Sequence, residues 1–149
     1  MTRRRALDPR DDTGSTLLLT IFYGAMALVV VLLVVAATSL YLERKRLFTL
    51  ADGAALVGAE AFELDDVAIT DGAPRVTLDS ASVATSVEEY VSSNRLASVE
   101  DLKIEDASSS DGTSASVTLS GYWRPPVFTL LIPEGLRIEV TAVARSVFL

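Results

Sequence analysis

The stretch "STLLLTIFYGAMALVVVLLVVAATSLYLERKRLFTLADGAALVGAEAF", Ser15 to Phe62, decides how the rest of the chain is read. No charged side chain lies between Asp12 and Glu43, and Leu17 to Leu42 is apolar almost throughout. A bilayer core about 30 Å thick is crossed by about 20 apolar residues in a helix. Residues 15–42 therefore read as a transmembrane helix, long enough to span with some tilt. The second part of the stretch contains no proline, and Leu47, Leu50, Ala51, Ala54, Ala55, Val57, Gly58, Ala61 and Phe62 recur at helical spacing. Residues 43–62 are thus expected to extend the same helix beyond the membrane, past Glu43-Arg44-Lys45-Arg46 at the interface. The small residues of this stripe let another helix or a sheet approach closely. Its plainest reading is a face covered by the chain's own domain.

No other run compares: Val127 to Ile132 is broken by Thr129 and flanked by prolines. A cleaved secretory signal is the rival reading, because Arg3, Arg4 and Arg5 resemble a basic leader and Val35-Ala36-Ala37 a small-residue cleavage site. The apolar run from Leu17 to that site is longer than the roughly 7–15 residues of a cleaved signal. Orientation follows the positive charges, with Arg3, Arg4, Arg5 and Arg10 before the span against Arg44, Lys45 and Arg46 after it. The narrow excess favours a cytoplasmic N-terminus, with the chain crossing the cytoplasmic membrane once. Residues 1–14 are then a short cytoplasmic basic leader, and residues 63–149 form an extracytoplasmic domain.

Composition removes several classes of function. The chain of 149 residues has no cysteine and no histidine, so thiolate nucleophiles, sulfur metal sites and the commonest general base are absent. Residues 47–149 carry six Lys/Arg against sixteen Asp/Glu, the wrong balance for neutralising phosphates, so nucleic acid is not expected as a partner. There is no Gly-rich phosphate loop and no nucleophile elbow. No catalytic residues, cofactor, metal or small-molecule substrate are expected. The acidic pairs Asp65-Asp66, Glu88-Glu89, Glu100-Asp101 and Glu105-Asp106 lack the alternating ligands and closing glutamate of a calcium loop, and they read as solvated surface.

After Phe62, short β-like pieces "VAIT" and "RVTL" flank the turn signal Asp71-Gly72. Asp79 or Ser80 can cap a helix ending near Asn94, with Val83, Ala84, Val87, Tyr90 and Val91 along one side. Three strands follow: "SVEDLKIED", "TSASVTLSGYW" and "LRIEVTAVARSVF". In the second, Ala115, Val117 and Leu119 should face one way; in the third, Leu136, Ile138, Val140, Ala142 and Ala144 should do so. Asp111-Gly112 between the first two is expected to make a tight hairpin. An antiparallel sheet of about three strands with one buried face implies cover from the two helices. The fold class is α+β: a long N-terminal transmembrane helix running into a small head. Trp123, with Val127, Phe128, Leu130 and Leu131, makes a candidate partner-binding or membrane-facing patch. The competing reading is a crossover that closes the core.

The basic leader ending in Gly14, the membrane-exit helix "SLYLERKRLFTLADGAALVGAEAF" and the Pro-containing loop "RPPVFTLLIPEG" before a last strand "RIEVTAVAR" together resemble the TadE/TadG-like minor pilins and pilus-assembly proteins of tight-adherence (Tad, or Flp) systems. That resemblance implies a pilin-like architecture and a membrane-anchored structural or assembly subunit, working by helix packing and protein contacts. Its expected partners are the lipid bilayer, other pilus or pilus-assembly subunits and a prepilin peptidase. Pilin-type members are cut after a glycine preceding the apolar helix, which places the processing site at Gly14 and Ser15. Many members have glutamate at the fifth mature position, where this chain has Leu19. Members nearer TadG stay anchored in the membrane. Under the resemblance, the packing stripe is Leu47, Leu50, Ala51, Ala54, Ala55, Gly58, Ala61 and Phe62. Two other readings stay open: a single-span accessory protein whose outer domain binds an envelope partner unrelated to pili, and a soluble domain released near Ala37.

Overall fold

A helix pairs its whole backbone within one segment, the form an apolar run needs wherever water is missing. In the computed structural model, which describes residues 13–62, 67–70, 73–96, 99–124 and 134–146, this helix, α1, covers Thr13–Ala59. It is long and apolar enough to cross a membrane. The hydroxyls inside it are satisfied locally, Thr20 and Thr38 each donating to the carbonyl four residues back at 2.8 Å. The helix stops at Ala59 rather than Phe62. There the Glu60 N–H is shared between the Leu56 and Val57 carbonyls at 3.2 Å each, and Ala61 bonds back to Gly58, so the last turn tightens and ends.

The chain divides into two compact units, Met1–Thr38 and Ser39–Leu149. Large apolar side chains in the first, from Leu17 to Val35, are exposed except Leu32, which is half-buried. The second holds the core. It contains β1 (Val67–Thr70) and β2 (Ala73–Val76), paired as an antiparallel hairpin, then α2 (Ser80–Ser93), β3 (Glu100–Ser108), β4 (Ser114–Trp123) and β5 (Leu136–Arg145). Strand β2 begins two residues before the expected "RVTL". Helix α2 starts where Asp79 accepts hydrogen bonds from the Ala81 and Ser82 amides, both at 3.1 Å. It ends at Asn94, whose amide side chain donates to the Tyr90 carbonyl at 2.9 Å.

Strands β3, β4 and β5 form an antiparallel sheet in that order, with β4 in the centre. Its inner face carries Ala115, Val117 and Leu119 from β4 and Ile138, Val140, Ala142 and Ala144 from β5. These residues share one buried cluster with Leu47 to Ala59 of α1 and with Val83, Val87 and Val91 of α2. The result is an α+β head with two helices over one sheet face.

Three details depart from simple alternation. Leu136, expected to face inward, is 47% exposed at the end of its strand, where the register pairs it with Trp123. Strand β3 shifts register twice against β4, between Glu100 and Lys103 and between Ile104 and Asp106, and Asp101 takes a positive φ of 51°. The β3–β4 connection is a loop from Ser109 to Thr113, longer than a two-residue hairpin turn. Gly112 sits in it at φ 68°, and Asp111 caps its far side by accepting from the Thr113 and Ser114 amides at 2.9 and 2.6 Å.

Candidate functional site

The small-residue stripe is the first surface to place. Leu47, Leu50, Ala51, Ala54, Ala55 and Gly58 are buried, whereas Ala61 and Phe62 are half-buried beyond the helix end. Val57, at the edge of the stripe, is also half-buried. The contacts at Gly58 explain why the residues are small. A Cβ there would lie 3.1 Å from Val83, 3.2 Å from Ala115 and 3.3 Å from Val87, so α1 touches both α2 and β4 through this position. One turn and a half earlier, a Cβ at Gly53 would collide with the Tyr90 hydroxyl. The spacing of Gly53 to Gly58 marks where α2 crosses, and of the two only Gly58 belongs to the apolar stripe.

The opposite side of the same helix segment is exposed and keeps large residues: Tyr41, Leu42, Phe48 and Leu56. Arg44, Lys45 and Arg46 are exposed among them, with Arg46 paired to Glu43 at 3.0 Å.

Trp123 is half-buried, packed against the core, and its indole Nε1 donates to Ser39 Oγ at 3.3 Å. The contact joins the end of β4 to the start of the head's portion of α1. Sequence spacing gave no hint of it, because the two residues are 84 positions apart. Val127, Phe128, Leu130 and Leu131 lie outside the described residues. Gly14 and Ser15 fall in the first turn of α1.

The polar groups on the outer sheet face hold strands together. Glu105, the extra residue at the second β3 shift, accepts from the Ser120 hydroxyl at 2.5 Å and from Arg137 at 3.0 Å, and Arg137 also pairs with Glu139. The Ser120 hydrogen bond, aided by the Arg137 charge, holds the Glu105 carboxyl below its ordinary value. Thr118 and Thr141 bridge β4 and β5 at 2.9 Å on the same face. Between the C-terminal turns of α2 and the start of β3 lies a groove of about 460 Å³, lined by Val91, Leu96, Val99 and Leu102 together with Glu88 and Arg95. Among the described residues, no group of three or more acidic, His or Cys side chains is placed to hold a metal ion.

Comparison with known proteins gives one result. Residues 14–61 match the family described as putative Flp pilus-assembly TadE/G-like. The matched segment runs almost from end to end of α1 and stops before the first strand. No curated protein and no solved structure matches the chain. Over this segment the chain is similar to the TadE/G-like family, and the match supports a role in pilus assembly.

Proposed function

We propose that the chain is a membrane-anchored structural or assembly subunit of a Tad-type (Flp) pilus, acting through helix packing and protein–protein contacts rather than catalysis. The observation that carries this reading is the family match over residues 14–61, which falls on the segment that holds both the candidate span and the packing stripe. In this reading residues 15–42 hold the subunit in the cytoplasmic membrane, with the basic leader inside and the head outside. The stripe from Leu47 to Phe62 rigidifies the exit helix on its own head. The outward side of that helix beyond the span, with Phe48 and Leu56, is left for neighbouring pilus components.

Processing at Gly14–Ser15 by a prepilin peptidase belongs to the same proposal. The intact mass and N-terminal sequence of the protein from its native membrane fraction test it, together with the identity of the proteins that copurify in mild detergent. A mature chain beginning at Ser15 and accompanied by pilus components is the expected result. An uncut chain with pilus components makes it a permanent anchor of the assembly system. An uncut chain without them overturns the pilus reading in favour of an unrelated envelope partner.

A further inference from the structure

The head begins at Ser39, and Ser39 lies within the last turn of the span read from the sequence as residues 15–42. That overlap has a physical consequence. Trp123 reaches Ser39 with its indole N–H at 3.3 Å, so the end of the β4–β5 pair stands level with the point where α1 leaves the apolar run. Leu136, directly across from Trp123, is exposed there although its strand alternation points it inward. Tyr41, 65% exposed, and Leu42 complete a set of aromatic and large apolar side chains within one turn of Ser39. The cations Arg44, Lys45 and Arg46 come next along the helix.

We infer that this end of the head, through Trp123, Leu136, Tyr41 and Leu42, rests in the interfacial layer of the phospholipid bilayer. The inference relies on the reading of residues 15–42 as a membrane span. Three observations support lipid as the occupant. The chain itself enters the apolar run at this level. Trp and Tyr, with an apolar body and one polar atom, are the side chains that favour the headgroup boundary. Basic residues a turn further out can extend their ammonium and guanidinium groups toward phosphate.

The absence of cysteine from the chain makes the test direct. Single-cysteine variants of the full chain, Leu28→Cys, Leu136→Cys and Val143→Cys, are labelled with an environment-sensitive fluorophore and reconstituted in phosphatidylcholine–phosphatidylglycerol vesicles. Lipids bearing a nitroxide near the headgroup or deep in the acyl chain then quench the label according to depth. Val143 is 63% exposed on the same strand as Leu136, and seven residues of strand separate them by roughly 23 Å. The expected result is deep-label quenching at 28, and shallow-label quenching several-fold stronger at 136 than at 143. Equal quenching at 136 and 143, with 28 in lipid, overturns the interfacial placement and leaves the span intact. No lipid quenching at 28 overturns the span reading and the placement with it. Trp123, the single tryptophan, repeats the measurement without any substitution. Quenching of Trp123 by the shallow nitroxide is expected, and its insensitivity in vesicles that do quench position 28 overturns the proposal.

Discussion

The two parts of α1 share one backbone and differ in what their side chains meet. From Leu17 to Val35 the helix exposes leucine, valine, isoleucine and phenylalanine, with Leu32 alone among its large apolar residues half-buried. From Leu47 to Ala59 it buries one side completely, and the residues on that side are mostly alanine and glycine. Large residues all round suit a fluid solvent that closes over any shape, as lipid does. Small residues on one side suit a solid partner already folded against it. Helix length alone therefore does not separate anchor from core. Residue size, read face by face, does.

The sharpest way to break this contrast is to truncate one leucine in each part. Leu47 is 1% exposed and among the largest fully buried side chains. Leu47→Ala should destabilise the head by about 2–5 kcal/mol, because a cavity is left in a packed core. Leu28→Ala should leave the head's unfolding midpoint unchanged. Urea denaturation in detergent micelles, followed by near-UV circular dichroism, reads both. Equal losses in the two variants would mean that the exposed half is packed like the buried one.

Glycine gives a second, smaller contrast. Nothing lies within 4 Å of a Cβ added at Gly24, whereas Gly58 is crowded by Val83, Val87 and Ala115. Gly58→Leu should cost about 1–3 kcal/mol through overpacking, and Gly24→Leu should be neutral for the head. A tolerated Gly58→Leu would show that α1 and α2 can separate without loss, and the stripe would then need another partner to account for its small residues.

A third measurement concerns α2, the helix that covers the stripe. Asp79→Ala removes the acceptor for the Ala81 and Ser82 amides and should cost about 1 kcal/mol. Asp79→Ser should recover most of it. If the serine variant is no better than alanine, the carboxylate acts through its charge rather than as a cap.

What could be read from the chain divides along the same line as these effects. The α2 cap, its Val83–Val87–Val91 face and the alternation of β4 depend on neighbours within a few residues, and each was legible. The long helix was legible because apolar length in one segment says enough. The Ser39–Trp123 bond, the exposure of Leu136 and the Ser120–Glu105–Arg137 network depend on strand register and on where one sheet end meets α1. The two shifts in β3 break the period that would have revealed them. Gly53 and Gly58 lay between: their small size was visible, but the identity of what crosses them was not. The strand charges read only as solvated surface, since a charged residue on a strand looks the same in sequence whether it meets water or latches a neighbour, as Glu105 does.

The smallest expected effect separates a local loop from the helix–sheet core. Asp111 accepts from the Thr113 and Ser114 amides and from the Ser114 hydroxyl, and these bonds hold its carboxyl far below the usual range for aspartate. A folded state that resists protonating Asp111 is stabilised by that group only while the unfolded chain is also deprotonated, above about pH 4. As pH falls below that value the unfolded state takes up a proton that the native state refuses, and the contribution is lost. The difference in denaturation midpoint between the parent chain and Asp111→Ala should therefore be largest near neutrality and shrink as the pH is lowered toward 2. Measuring the difference between the two chains cancels the titration of the other carboxylates, Glu105 among them. Because Asp111 is exposed and its bonds stay within the loop, the gap should be smaller than that of Asp79→Ala at every pH. A gap that widens on acidification would mean the loop is held by something other than the ionised carboxylate.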